Sequence, residues 1–415
     1  MNKINLIIKC FTAFCLILFC LTLSLLSCSK EEVLPEEEGE VLEEIPYSTV
    51  LKVGANKPFK TISEASTTAG DGTLIEVDAG TYSGDVALWT QNNLIIRAVG
   101  GDVMLDANGK SYGGKGIWEV NGGRIRVEGI TFKNAKVPDE NGAGIRLTKG
   151  DLIVVDCRFL RNETGILTSN DGVSTLTIRN SEFGYNGNSD GFSHNLYVGY
   201  IAKLSVSGSY FHHADIGHLL KSRAALSIVM YNRLTDETDA DSRASYELDF
   251  PSGGQAVVVG NIIQQSKNTD NPAIISYAKE VVDRYPANEL YLCYNTVLNS
   301  RTQTDVLINA PLSPPMRFVV CNNLLSENIR FLPDLAFYSE KGNQTFVSGD
   351  LNADYSPTQN AFNKWKNLLE PNIDNTLSTN LKTQGISLIP AKEYVHPLST
   401  KALKTAPQIP GAIQN

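Results

Sequence analysis

The residue types best suited to chemistry crowd into one stretch of the chain. Four of the five histidines (194, 212, 213 and 218) fall within 25 residues, and Lys221, Arg223, Glu247 and Asp249 follow close behind. A lysine or arginine beside a sugar carboxylate can neutralise it. A lysine stripped of water can act as a base, and a nearby histidine can relay protons. Two carboxylates on one strand, such as Glu247 and Asp249, can hold Ca²⁺ or orient cationic neighbours. Each residue also has a structural reading. His212 and His213 sit where other segments carry Asn134 or Asn162, so they are read as corner residues. His194 serves equally well as a loop cap or a substrate contact, and Lys221 can simply form a salt bridge.

Whatever positions these residues is repetitive. From Gly129 onward one phrase recurs, ending in an apolar anchor at Phe132, Phe159, Phe183, Phe211, Leu234, Ile263, Val297 and Leu325. The separations are 27, 24, 28, 23, 29, 34 and 28 residues, a period with insertions that marks a solenoid. Short alternating strands such as Leu176-Thr177-Ile178-Arg179 lie between anchors and point to β-coils. Asn232, Asn261, Asn295 and Asn323 each stand two residues before an anchor. Stacked about 4.8 Å apart, their amides can bond along the stack. Cys293 and Cys321 should stack too, as two buried thiols in preference to a disulfide. Phe59 to Ala65 reads as a short amphipathic helix covering the first coil.

The strand after each anchor is aligned on Ile145, Ile166, Leu196, Leu219, Leu248 and Ile274 as inward residues. Alternation then points two columns outward. One reads Gly144, Gly165, Asn195, His218, Glu247 and Ala273. The other reads Arg146, Leu167, Tyr197, Leu220, Asp249 and Ile275. The predicted site therefore places Asn195, Tyr197, His218, Glu247 and Asp249 on one wall, with Lys221 and Arg223 in the next turn. Lys221, Arg223 and His218 are the catalytic candidates. Asn195, Tyr197 and His194 are the substrate-binding candidates, and Glu247 and Asp249 the Ca²⁺ candidates.

The opening Leu74 to Tyr82, then Asn93-Leu94-Ile95-Ile96-Arg97 and Gly129-Ile130-Thr131-Phe132, resembles the pectate-lyase-like right-handed parallel β-helix superfamily over about residues 50 to 330. That resemblance implies an all-β solenoid and is weak for activity. Lys221 and Arg223 are similar in chemistry to the pairs of chondroitinase-B and alginate-lyase type enzymes, which draw them from separate coils. Here they share one turn. The pectate-lyase Arg-x-Pro-x-x-Arg pattern is absent. The expected activity is cleavage of an acidic, uronate-containing polysaccharide by β-elimination, or C5 epimerisation. The alternatives are a glycoside hydrolase using Glu247 and Asp249, or a non-catalytic glycan binder.

The ends of the chain bear on location. Lys3 and Lys9 precede an apolar run from Phe11 to Leu26 that closes in Ser27-Cys28. The run is long enough for a membrane helix. Its small residue before Cys28 instead resembles a bacterial lipobox, with Cys28 lipidated and the protein carried on the outer membrane, exposed at the cell surface. Residues 28–47 read as a tether: eight glutamates between 31 and 44 account for most of the net charge of −9. The remainder is close to neutral, which disfavours nucleic acid as a partner. The expected domains are the signal 1–27, the tether, the β-helix 48–340 and an extension 341–415 packed on the solenoid. A monomer is expected. Cys157, Cys293 and Cys321 form no disulfide framework and no CxxC metal spacing.

Overall fold

A computed structural model describes residues 44–269, 271–312 and 316–414. The signal segment, Cys28 and most of the tether lie outside these residues. The chain divides into two compact units. The larger one, Glu38–Leu403 with Pro407–Asn415, is the subject here. Of the smaller one only Lys404–Ala406 is described.

The larger unit is a right-handed parallel β-helix whose strands form one continuous 29-stranded sheet. Every pairing within that sheet is parallel, and each strand bonds to the strand one coil away. The anchors stack as the period requires. Phe132, Phe159, Phe183, Phe211, Leu234, Ile263, Val297 and Leu325 are consecutive register partners. Four of them are phenylalanines lying face to face, with centroids 5.1, 4.7 and 4.7 Å apart. All are buried, so stacking removes from water the apolar surface that no single coil can hide alone.

The asparagine ladder lies beside the anchors. The side-chain oxygen of Asn261 accepts from the backbone N–H and the amide of Asn232, at 2.9 and 3.0 Å. Asn295 does the same for Asn261, Asn323 for Asn295, and Asn343 for Asn323. Each rung thereby satisfies a buried corner that has no strand partner. Cys293 and Cys321 are register partners, both buried and both free thiols.

The first coil is covered by a helix over Ile62–Thr68. Thr61 caps it, and Glu64 closes a capping box. Asp85 accepts from the N–H groups of Ile62 and Ser63, tying the helix start to the coil below. At the other end the sheet finishes with Ser339–Lys341 and Gln344–Phe346. Short helices follow at Gln359–Trp365 and Thr379–Thr383. Trp365 and Leu381 from these helices, with Ile373 and Leu377 from the short 3₁₀ turn Ile373–Thr376 and its cap, pack into apolar clusters with solenoid residues such as Leu324, Val257 and Tyr291.

Candidate functional site

The structure corrects the alignment of the outer wall by one residue. Leu196 pairs with Leu220, and Leu220 with Leu248, which in turn pairs with Ile275. The inward series is therefore Ile145, Ile166, Leu196, Leu220, Leu248 and Ile275, not Leu219 and Ile274 at those coils. A slip of one position exchanges the faces of a strand. Here it comes from the variable corners before the strands, where Ile216 takes a left-handed conformation (φ 65°) that sequence spacing does not reveal.

The outward column becomes Arg146, Leu167, Tyr197, Lys221, Asp249 and Ser276. Lys221 thus belongs to the wall itself and needs no broken strand to reach the surface. Its ammonium lies 3.2 Å from Asp249 and 3.1 Å from Glu280. Arg223 donates to the other oxygen of Glu280 at 2.5 Å, to Ser252 at 3.2 Å and through Nε to the Tyr197 hydroxyl at 3.4 Å. Lys221 and Arg223 sit 5.6 and 5.9 Å from the Tyr197 ring centroid. The ion pairs with Asp249 and Glu280 offset what two half-hidden cations lose in hydration.

Asn195 and Glu247 do not join this wall. Asn195 continues an interior amide ladder, accepting from the amide of Asn186 and donating to the carbonyl of His212. Glu247 is fully buried, and neither of its carboxyl oxygens has a hydrogen-bond partner. Backbone bonds place it in a corner column with Asn195, Leu219 and Ile274. Burial, with Asp236 and Asp305 nearby, pushes its carboxyl well above the usual range. The pair Glu247/Asp249 consequently fits neither a Ca²⁺ site nor the two carboxyls of a hydrolase. Among the described residues no group of three or more His, Cys, Asp or Glu side chains is placed to hold a metal ion.

The histidines form a stack of their own. His194 and His218 lie parallel with centroids 4.5 Å apart, and Tyr246 follows at 5.1 Å. The N–H of His218 donates to Nδ1 of His194, and the N–H of Tyr246 donates to Nδ1 of His218. With Nδ1 accepting, His218 carries its proton on Nε2, which faces Asp249 at 3.4 Å. Burial, with Lys221 nearby, lowers His218 to about 3. Burial, with His218 and the two cations nearby, lowers His194 as well. Both rings are neutral and their acceptor nitrogens are taken. His218 therefore orients Asp249 and is not placed as a base, and His194 is buried away from any ligand. His212 and His213 form a separate corner cluster with Glu182 and Asp239.

Burial raises Asp249, though Lys221 and Ser276 act against this. Burial also acts to raise Glu280, but its bonds and charge contacts with Arg223 and Lys221 hold it below the ordinary value. Glu280, with Arg284 and Tyr285, comes from the loop between Ala273–Tyr277 and Glu289–Cys293. The Tyr285 hydroxyl donates to the Arg223 carbonyl at 2.5 Å, and the Arg284 guanidinium covers Tyr200 at 4.3 Å. This loop has no repeat signature. Its trace in the sequence is the 34-residue gap between anchors Ile263 and Val297, the longest of the series.

No family model matches the chain, and no curated protein matches it. Solved structures similar to it include pectate lyase Pel9A, at 14% identity and TM-score 0.47, covering 89% of this chain and 97% of that one. A pectin methylesterase from Aspergillus niger matches at 14% identity and TM-score 0.32, covering 80% and 97%. A mutant of the PL6 family alginate lyase AlyGC matches at 14% and 0.33, covering 84% of this chain and 59% of that one. At such identities no residue role is carried across.

Proposed function

We propose that the protein binds an acidic, uronate-containing polysaccharide on the Tyr197–Lys221–Asp249 wall and cleaves it by β-elimination. One observation carries this reading. Lys221 and Arg223, only 10% and 12% exposed, jointly grip a single carboxylate, that of Glu280, which is 48% exposed on a loop. The wall is already a carboxylate receptor, and Glu280 occupies the position a uronate would take. Displacing it leaves Arg223 to neutralise the sugar carboxylate.

The proposed step balances within this cluster. Lys221 passes a proton to Asp249 across their 3.2 Å contact, and the free amine removes the C5 proton. The electron pair forms the C4–C5 double bond, and the C4–O bond breaks. Tyr197 accepts from Arg223 and keeps its own hydroxyl proton to give to the departing oxygen. Lys221 then returns a proton to Tyr197. C5 epimerisation shares the first step and differs in returning the proton to the opposite face. No step is assigned to Ca²⁺, because the residues proposed for it do not converge.

Cys28 is proposed to anchor the protein, as a monomer, in the outer membrane at the cell surface. A non-catalytic glycan binder is the second reading, favoured by the full pairing of all four charges in the resting cluster. The test is digestion of polygalacturonate, alginate and chondroitin sulfate, with and without chelator, read by unsaturated-uronide absorbance. Lys221→Ala should abolish turnover, at least a hundredfold loss, while its fold is checked by melting. Binding without turnover in the parent protein selects the binder. Neither binding nor turnover on any acidic glycan sinks both readings.

A further inference from the structure

Along the same wall, toward the N-terminus, lies a cavity of about 490 Å³. Arg146, Leu167, Asn141, Phe192 and Tyr197 contribute to its lining, so Tyr197 separates it from the Lys221–Arg223 pair. Register fixes the distance. Arg146 pairs with Leu167, Leu167 with Tyr197 and Tyr197 with Lys221, which is three strand spacings or about 14 Å.

Arg146 differs from the cations of the cluster above. It is half-buried and makes no hydrogen bond, ion pair or ring contact with any described residue. Burial pulls its guanidinium below the ordinary value; Glu119, its register partner on the adjacent strand, and Tyr197 oppose this through their charge without bonding to it. A charge partly removed from water without a partner raises the free energy of the empty site. An anion that supplies the missing partner recovers that cost.

The surroundings favour a sugar-borne anion. Phe192 is 81% exposed at the rim, held by a turn in which Asp190 accepts from the N–H groups of Phe192 and Ser193. An exposed aromatic face on a turn beside a polar cavity suits the apolar face of a pyranose ring. Asp139, Glu140 and Asp190 also line the cavity. Asp139 is already paired with Lys115 at 2.7 Å. These carboxylates can accept from hydroxyls but repel a diffuse polyanion, so a ligand must present its negative charge at Arg146 alone.

We propose that this cavity is a second anion-binding subsite, in which Arg146 takes the carboxylate and Phe192 the ring of a sugar residue remote from the one held at Lys221. The inference rests on the reading of the wall as a uronate-binding groove and adds that ligands must be long to bind well. The experiment compares oligogalacturonates and oligoalginates from disaccharide to octasaccharide. Affinity is measured by calorimetry on the parent protein and on Arg146→Ala, Phe192→Ala and Lys221→Ala.

Arg146→Ala should weaken the octasaccharide roughly tenfold and leave the disaccharide unchanged. Phe192→Ala, a substitution at an exposed residue that the fold does not need, should show the same length dependence. Lys221→Ala should weaken every length. Equal losses at all lengths for Arg146→Ala, or none at any, overturn the subsite while leaving the wall reading intact. Absence of binding by the parent protein to every oligosaccharide overturns both.

Discussion

Glu280 is the residue on which the chemistry of the wall turns. Its carboxylate bridges Lys221 and Arg223, and it stands on a loop that carries no strand of the ladder. If it occupies the carboxylate position, Glu280→Gln removes a competitor and leaves an uncompensated positive charge. Affinity for an acidic oligosaccharide should rise roughly tenfold, because hydrogen bonds to charged groups contribute about 1.5–3 kcal/mol. Lys221 and Arg223 are only 10% and 12% exposed, so losing these pairs leaves buried positive charge less compensated; Lys221 keeps Asp249, and the melting temperature should fall by a few degrees with the fold retained. Calorimetric titration of the variant checks this, and weakened binding would show that Glu280 supports the receptor instead of filling it. Arg146 and Phe192 could not be singled out from sequence. Arg146 was legible as an outward residue, but the missing partner is a property of its surroundings.

At the scale of the element, the corner column Asn195–Leu219–Glu247–Ile274 contributes to the protein's response to pH. Glu247 lies between two aliphatic neighbours with both oxygens unpartnered. Its folded-state pKa is raised above the ordinary 4.5. Below the unfolded value both states are protonated and the residue adds no pH-dependent cost. As pH rises past that value the unfolded chain ionises while the folded carboxyl stays protonated, so stability falls with pH until the folded pKa is passed. Glu247→Leu matches the column and removes this penalty. At pH 8 it should stabilise the fold by about 1–3 kcal/mol, with a rise of several degrees in Tm, and the gap should narrow by pH 4. Thermal melts at both pH values decide the matter; an equal gap would mean that Glu247 is hydrated or paired.

At the scale of the whole molecule, the solenoid explains how residues from sequentially distant coils meet. Strand spacing, not sequence distance, sets the geometry of the wall. A lipid at Cys28 would hold this rigid body at a surface by a polyanionic leash. Cys28→Ala should then move the protein from the membrane fraction to the soluble fraction without changing its melting curve, as fractionation and blotting would show. Continued membrane association would instead indicate that the apolar run from Phe11 to Leu26 is itself the anchor.

The anchors and the asparagine ladder were legible in the sequence because each coil must present the same inward residue to its neighbours. Packing against an identical environment writes the period into the residue types. The corners carry no such constraint. Their lengths vary, and a left-handed residue such as Ile216 shifts the following strand by one position without changing its composition. That slip placed Leu220 on the wall in place of Lys221. Asn195 and Glu247 were misplaced for another reason: the strands begin at Leu196 and Leu248, so both residues lie in the corner before the strand, where alternation does not apply. Likewise, the pairing of Lys221 and Arg223 with Glu280 depends on a loop that folds back across the coil, which only the assembled structure specifies. Repetition, imposed by shared burial, is a property of the sequence. Register at the corners and the partners of each charge follow from tertiary contact, since those energies exist only once the coils are stacked.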